Sequence, residues 1–157
     1  VWPAEQVLLV SPNRNYTVAD LDDFFADIGY AEGATKTKDA LELSGGLSPP
    51  GVAVHLLTGV DVPTPARFEY TKGSRDDWFE SDPTSVVNGD GDGTVSALSL
   101  EAPRRWAGGQ QAPVEWSVFP GIDHRGILSH APALNTLLQI LRGSEAEFLL
   151  RENLRQR

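Results

Sequence analysis

The 157-residue chain contains no cysteine. That absence excludes disulfides, thiolate metal ligands and a cysteine nucleophile. Methionine is absent too, even as an initiator, so the expectation is that something upstream has been removed and that this is part of a larger protein. Positive charge is scarce: 13 Lys and Arg against 22 Asp and Glu give a formal net charge of −9. A sequence-independent nucleic-acid binder needs a cationic surface to displace counterions, which argues against that class. No apolar run approaches the roughly 20 residues that span a bilayer. Val1-Trp2-Pro3 also lacks the charged and apolar regions of a signal peptide. Internal repeats and low-complexity tracts are missing as well.

What remains suits a folded domain. Hydrophobic residues make up 40% of the chain, enough for a real core, and a charged fraction of 22% is too low for wholesale disorder. "QVLLV" at 6–10 reads as a short buried strand, broken by "SPNRN". In "YTVADLDDFFADIGY" the spacing of Leu21, Phe24, Phe25 and Ile28 predicts an amphipathic helix, with Thr17 as N-cap, Asp20 three residues on and Gly29 near the stop. Residues 31–51, ending in "SGGLSPPG", read as a surface loop.

Further strands are predicted at "VAVHLL" (52–57), "TSVV" (84–87) and "PVEWSVF" (113–119). The prolines of "TGVDVPTPARFEY" argue against a continuous central strand there. "APALNTLLQILRG" places Leu134, Leu137, Leu138 and Leu141 on one helical face and predicts a stop at Gly143. "SEAEFLLRENLRQR" follows as a helix that continues or docks after that stop. Strands alternating with helices point to an α/β sheet, although four strands make only half a fold.

"NGDGDGTV" at 88–95 admits two chemistries. As a calcium loop, Asn88, Asp90, Asp92 and Gly93 fill the first, third, fifth and sixth positions. The twelfth is Ser99, which cannot supply a bidentate carboxylate, and the β-branched, proline-bearing approach "SDPTSVV" is wrong for an entering helix. As the acid turn of a hydrolase, the loop follows one strand and precedes "PVEWSVF", after which "PGIDHRGIL" presents His124. That is the acid-then-histidine order of an α/β-hydrolase. An aspartate on such a turn can accept the imidazole Nδ1–H and leave Nε2 free as a general base. His55, inside an apolar strand, reads as structural, and His130 as a residue that caps or hydrogen-bonds at the final helix.

Over nearly its whole length the chain resembles the C-terminal half of the lecithin:cholesterol acyltransferase and lysosomal phospholipase A family. The likeness is carried by "VWP", "NYT", "FFADIGY", "PPGVAVHLLTGVDVPTP", "GDGDGTVSALSL" and "FPGIDHRGIL". It implies the C-terminal portion of an α/β-hydrolase fold: a cap-region segment and leading strand over 1–50, late core strands with the acid and histidine loops over 51–143, and a terminal helix over 144–157. The family's acid falls on Asp92 and its histidine on His124, with Asp90 shaping the turn. The implied activity is phospholipid acyl hydrolysis or acyl transfer, without cofactor or metal.

The implied setting is secreted or luminal, like a lysosome or vacuole. Asn15 of the Asn-Tyr-Thr sequon is then a glycosylation site. Pro103 stands near a place where family members commonly carry cysteine.

No serine lies in G-x-S-x-G; "GLS" at 46–48 runs into prolines. The isolated chain is therefore expected to be inert, as a fragment of a processed precursor or the partner of an N-terminal chain bearing the serine. The alternative is a catalytically inactive family member kept as a structural subunit of a larger assembly.

Overall fold

The computed structural model describes residues 2–43, 47–71 and 77–155, with side chains described as far as Gly143. The first apolar run forms strand β1 (Val7–Val10), and the chain turns back as β2 (Asn15–Thr17), antiparallel to it. Ser11 makes the corner: its hydroxyl donates to the Arg14 carbonyl at 2.9 Å and accepts the Asn13 and Arg14 amides. Asp20 Oδ2 accepts from the Thr17 amide at 2.9 Å and the Thr17 hydroxyl at 2.6 Å. A 3-10 turn (Val18–Asp20) then leads into α1 (Leu21–Asp27). Gly29 closes that helix with φ +73°, a conformation that costs glycine little.

Helix α2 (Glu32–Leu43) corrects the reading of 31–51 as a loop. The Gly, Ser and Pro bias belongs to the second half of that stretch; the first half is built largely of Ala, Lys, Glu and Leu, which favour helix. Lys36 pairs with Glu32 at 3.3 Å within the helix, and Lys38 reaches Asp22 of α1 at 2.8 Å. Buried Gly33 lies against the Phe25 ring, where a Cβ would not fit.

Among the described residues six strands form two sheets. β4 (Thr64–Glu69) and β5 (Ser85–Gly89) are antiparallel and join β1 and β2 in the order β2-β1-β4-β5. β3 (Val54–Val60) and β6 (Val114–Pro120) run parallel, paired from Val54↔Val114 to Val60↔Pro120. As the prolines imply, no continuous strand runs through this stretch, since β3 ends at Val60 and β4 begins at Thr64, although β4 carries Pro65 and is flanked on both sides at its far end. Only Phe68 and Glu69 pair with β1, so Pro65 lies where β4 has β5 alone, beside a register shift between Pro65 and Arg67. A proline is tolerated at such a local edge.

α3 (Ala97–Leu100) and a 3-10 stretch (Ala102–Gly108) connect β5 to β6. The last helix, α4 (Ala131–Arg155), runs through Gly143 without stopping. Glycine inside a helix costs about 1 kcal/mol relative to alanine, which the helix-forming residues on either side offset.

Tyr16 and Trp78 are the largest fully buried side chains among the described residues. Phe24 meets Tyr16 edge-on at 5.5 Å, and Tyr70 meets Trp78 likewise at 5.0 Å. The Tyr16 hydroxyl donates to Asp27 Oδ2 at 2.7 Å; burial, then that carboxylate, pushes the phenol up to about 12.

Candidate active site

The loop 90–96 leaves β5 and is fastened to the corner that follows β3. The Val62 amide donates to the Gly91 carbonyl at 3.0 Å, and the Asp61 amide to Asp90 Oδ1 at 2.7 Å. Asp61 itself stands at φ +61°, so Asp90 steadies a residue in an unfavourable left-handed conformation. Gly91 has no room for a side chain: a Cβ would meet the Val95 carbonyl and come within 2.5 Å of Thr64 Oγ1. Gly93 turns the chain at φ +85°.

These constraints aim Asp92 inward, where it is 4% exposed. Its Oδ1 accepts the amides of Thr94 at 3.0 Å and Val95 at 2.7 Å. Its Oδ2 faces His124 Nδ1 at 2.8 Å. Burial works to raise the carboxyl's pKa, but the Val95 amide, His124 and the Thr94 amide together hold it below the ordinary carboxylate value.

His124 arrives from the other sheet. Gly121, at φ +71°, turns the chain after β6 and donates its amide to the Val60 carbonyl at 2.8 Å. Gly59 lets the following loop lie close to β3, because a Cβ there would collide with the Ile122 carbonyl. The His124 amide donates to the Asp92 carbonyl at 2.8 Å, so backbone and side chain both join the two loops. Asp123 braces the next turn by accepting the Gly126 and Arg125 amides at 2.7 and 3.0 Å, which hold its own carboxyl low.

The imidazole is half exposed, and among the described residues nothing hydrogen-bonds Nε2. An ionised Asp92 can only accept, so the Nδ1–H is directed at it, and in the neutral imidazole Nε2 keeps its lone pair. The pair is chemically equipped to take a proton from a group brought to Nε2.

The oxygens that suggested calcium are employed differently. Asp92 is bonded to two amides and an imidazole, Asp90 to the Asp61 amide, and the element entering the loop is a strand. His55 lies across from Glu115 in the β3–β6 pairing, with Nδ1 3.2 Å from Oε2. Both line a cavity of about 900 Å³ beside α4 that does not include Asp92 or His124. His130 provides the carbonyl that accepts the Leu134 amide at the start of α4 and packs edge-on to Phe119 at 5.4 Å. Asn15 is exposed on β2.

Sequence reasoning missed Gly59 and Thr64, the latter 1% exposed beside the acid loop. The prolines of "TGVDVPTPARFEY" argued only against a continuous strand there. Nothing local told that Thr64 would meet a glycine amide 29 positions away.

This mixed α/β chain thus brings a buried aspartate onto a half-exposed histidine. Residues 1–133 match the family model of lecithin:cholesterol acyltransferase, and the chain belongs to that family. It is similar to the lysosomal phospholipase A and acyltransferase of Canis lupus familiaris, 36% identical over 142 residues, covering 90% of this chain and 33% of the relative. It is also similar to the phosphatidylcholine-sterol acyltransferase of Eliomys quercinus, 37% identical over 124 residues, covering 79% of this chain and 40% of the relative. The human phosphatidylcholine-sterol acyltransferase is 36% identical over 143 residues, covering 91% and 32%. The chain thus spans about a third of the length of the relatives it matches. Among the described residues no helix is long and apolar enough to cross a membrane.

Proposed function

We propose that this chain is the acid- and histidine-bearing portion of a serine lipid acyl-hydrolase or acyltransferase, the nucleophilic serine standing upstream or on a separate N-terminal chain. The observation that carries the reading is the 2.8 Å Asp92–His124 contact with Nε2 open. The phospholipid substrate class follows from what the relatives' names say of those proteins.

In this scheme the serine oxygen attacks the ester carbonyl while His124 Nε2 takes its proton. Asp92 holds the imidazole in register and stabilises the imidazolium. The tetrahedral intermediate collapses, the ester C–O bond breaks, and His124 returns the proton to the departing alcohol oxygen. Water or a lipid alcohol then attacks the acyl-serine, with His124 again taking and returning a proton. The oxyanion donors lie with the nucleophile, and no metal or cofactor takes part.

Residues 51–143 are, on this reading, the C-terminal portion of an α/β-hydrolase core. Helices α1 and α2 contribute to its cap region. The two-stranded β3–β6 sheet and the outward-facing Trp116, Val118, Leu137 and Leu141 support a further polypeptide packing there. The protein works in a secreted or luminal, lysosome- or vacuole-like setting, with a glycan on exposed Asn15.

The test is fatty-acid release from phosphatidylcholine vesicles by the complete protein. His124→Ala should lower turnover by about 10⁴-fold or more while the circular dichroism spectrum stays unchanged. Near-wild-type turnover would overturn the assignment.

A further inference from the structure

We propose that Thr64 is a positioning residue for the Asp92–His124 pair. The inference rests, for its kinetic part only, on the reading of those residues as acid and base. Thr64 opens β4 and is 1% exposed. Its hydroxyl donates to the Val62 carbonyl at 2.8 Å and accepts the Gly93 amide at 2.8 Å. One oxygen thus ties the corner after β3 to the residue that follows Asp92.

The geometry gives that link its consequence. Gly93 is the left-handed residue of the turn, and the next two amides, Thr94 and Val95, are the ones that hold Asp92 Oδ1. Fixing the Gly93 peptide therefore fixes the direction of both donors, and with them the rotation of the carboxylate. That rotation decides whether Oδ2 points at Nδ1. Gly91 closes the arrangement from the other side, since its missing Cβ is what lets Thr64 Oγ1 approach. A valine matches threonine in shape but can neither accept the Gly93 amide nor donate to the Val62 carbonyl, so the side-chain link between the two is lost. Serine keeps the hydroxyl.

The experiment compares Thr64→Val and Thr64→Ser in the complete protein by two readouts. One is the downfield proton resonance of His124 Nδ1–H, assigned by its loss in His124→Ala. The other is hydrolysis of p-nitrophenyl butyrate. Thr64→Val should move or broaden the resonance and lower kcat about 10-fold, with KM within about twofold; Thr64→Ser should restore both. If Thr64→Val fails to fold, Thr64→Ala against Thr64→Ser makes the same comparison, and equal behaviour of those two would overturn the proposal. An unchanged resonance in Thr64→Val or Thr64→Ala, whatever happens to stability or rate, would also overturn it. A resonance that responds as expected in a protein whose turnover survives His124→Ala would sustain the positioning role and overturn the catalytic reading instead.

Discussion

Around Tyr16 and Trp78 the aromatic side chains close on one another: Phe24 of α1, Tyr70 and Phe79 lie against the two buried rings. Around β3 and β6 the arrangement is reversed. Backbone pairing there is continuous over seven residue pairs, yet Trp116 is 47% exposed and Leu141, on α4, is 56% exposed. The first region buries its two largest rings while leaving Phe68 and Val86 partly outward; the second buries Val114 and Phe119 but turns Trp116, Val118, Leu137 and Leu141 out. The acid–histidine pair lies where the two meet, with Asp92 on a loop leaving β5 and His124 on a loop leaving β6. A site built from two loops is only as well placed as the contacts that join them. Here those are the His124 amide on the Asp92 carbonyl and the fastening of the acid loop to residues 61–64.

The largest effect expected on this picture falls at the junction. Asp92→Asn keeps the shape of the acid but can present an amide to Nδ1, so turnover of the complete protein should fall by about 10³- to 10⁴-fold, measured as fatty-acid release. The next effect separates the two regions directly. Trp78→Ala should destabilise the chain by about 3–5 kcal/mol, read from denaturant unfolding. Leu141→Ala in the 157-residue chain should cost no more than about 0.5 kcal/mol, rising to about 2–5 kcal/mol in the complete protein if that face is covered there. Equal costs for Leu141→Ala in both forms would mean that this face stays uncovered in the complete protein.

The smallest effect is on pH dependence. The Asp92 carboxyl is held low in the folded state, so its stabilising contribution is complete above the ordinary carboxylate value, about 4, and is lost as pH falls through the depressed folded value. Unfolding followed below about pH 4 should show a shallower loss of stability in Asp92→Asn than in the wild type. Asp20, Asp123 and Glu69 are also held low, so part of the slope should remain.

Much of this was legible in the chain, for identifiable reasons. β1, β3, β5 and β6 are short apolar or β-branched runs bounded by Gly, Pro or Asn, and α1 carries both cap and stop. α2 was hidden because the Gly, Ser and Pro of 44–51 coloured the reading of the whole stretch, and because the buried residue it sets against α1 is a glycine. β4 was hidden by Pro65, whose acceptability depends on how far β1 extends beside it, a tertiary fact. Order along the chain was enough to nominate Asp92 and His124. The corner that aims them was not readable, because the hydrogen bonds of Asp61, Val62 and Thr64 reach across 29 positions and look locally like an ordinary turn.

The most direct test of the central claim is the rate at which a fluorophosphonate labels the complete protein, wild type against His124→Ala. Rapid labelling of a serine outside these 157 residues is expected, reduced by several orders of magnitude once His124 is removed. Labelling that proceeds at the same rate without His124, or that modifies a serine within this chain, would contradict it.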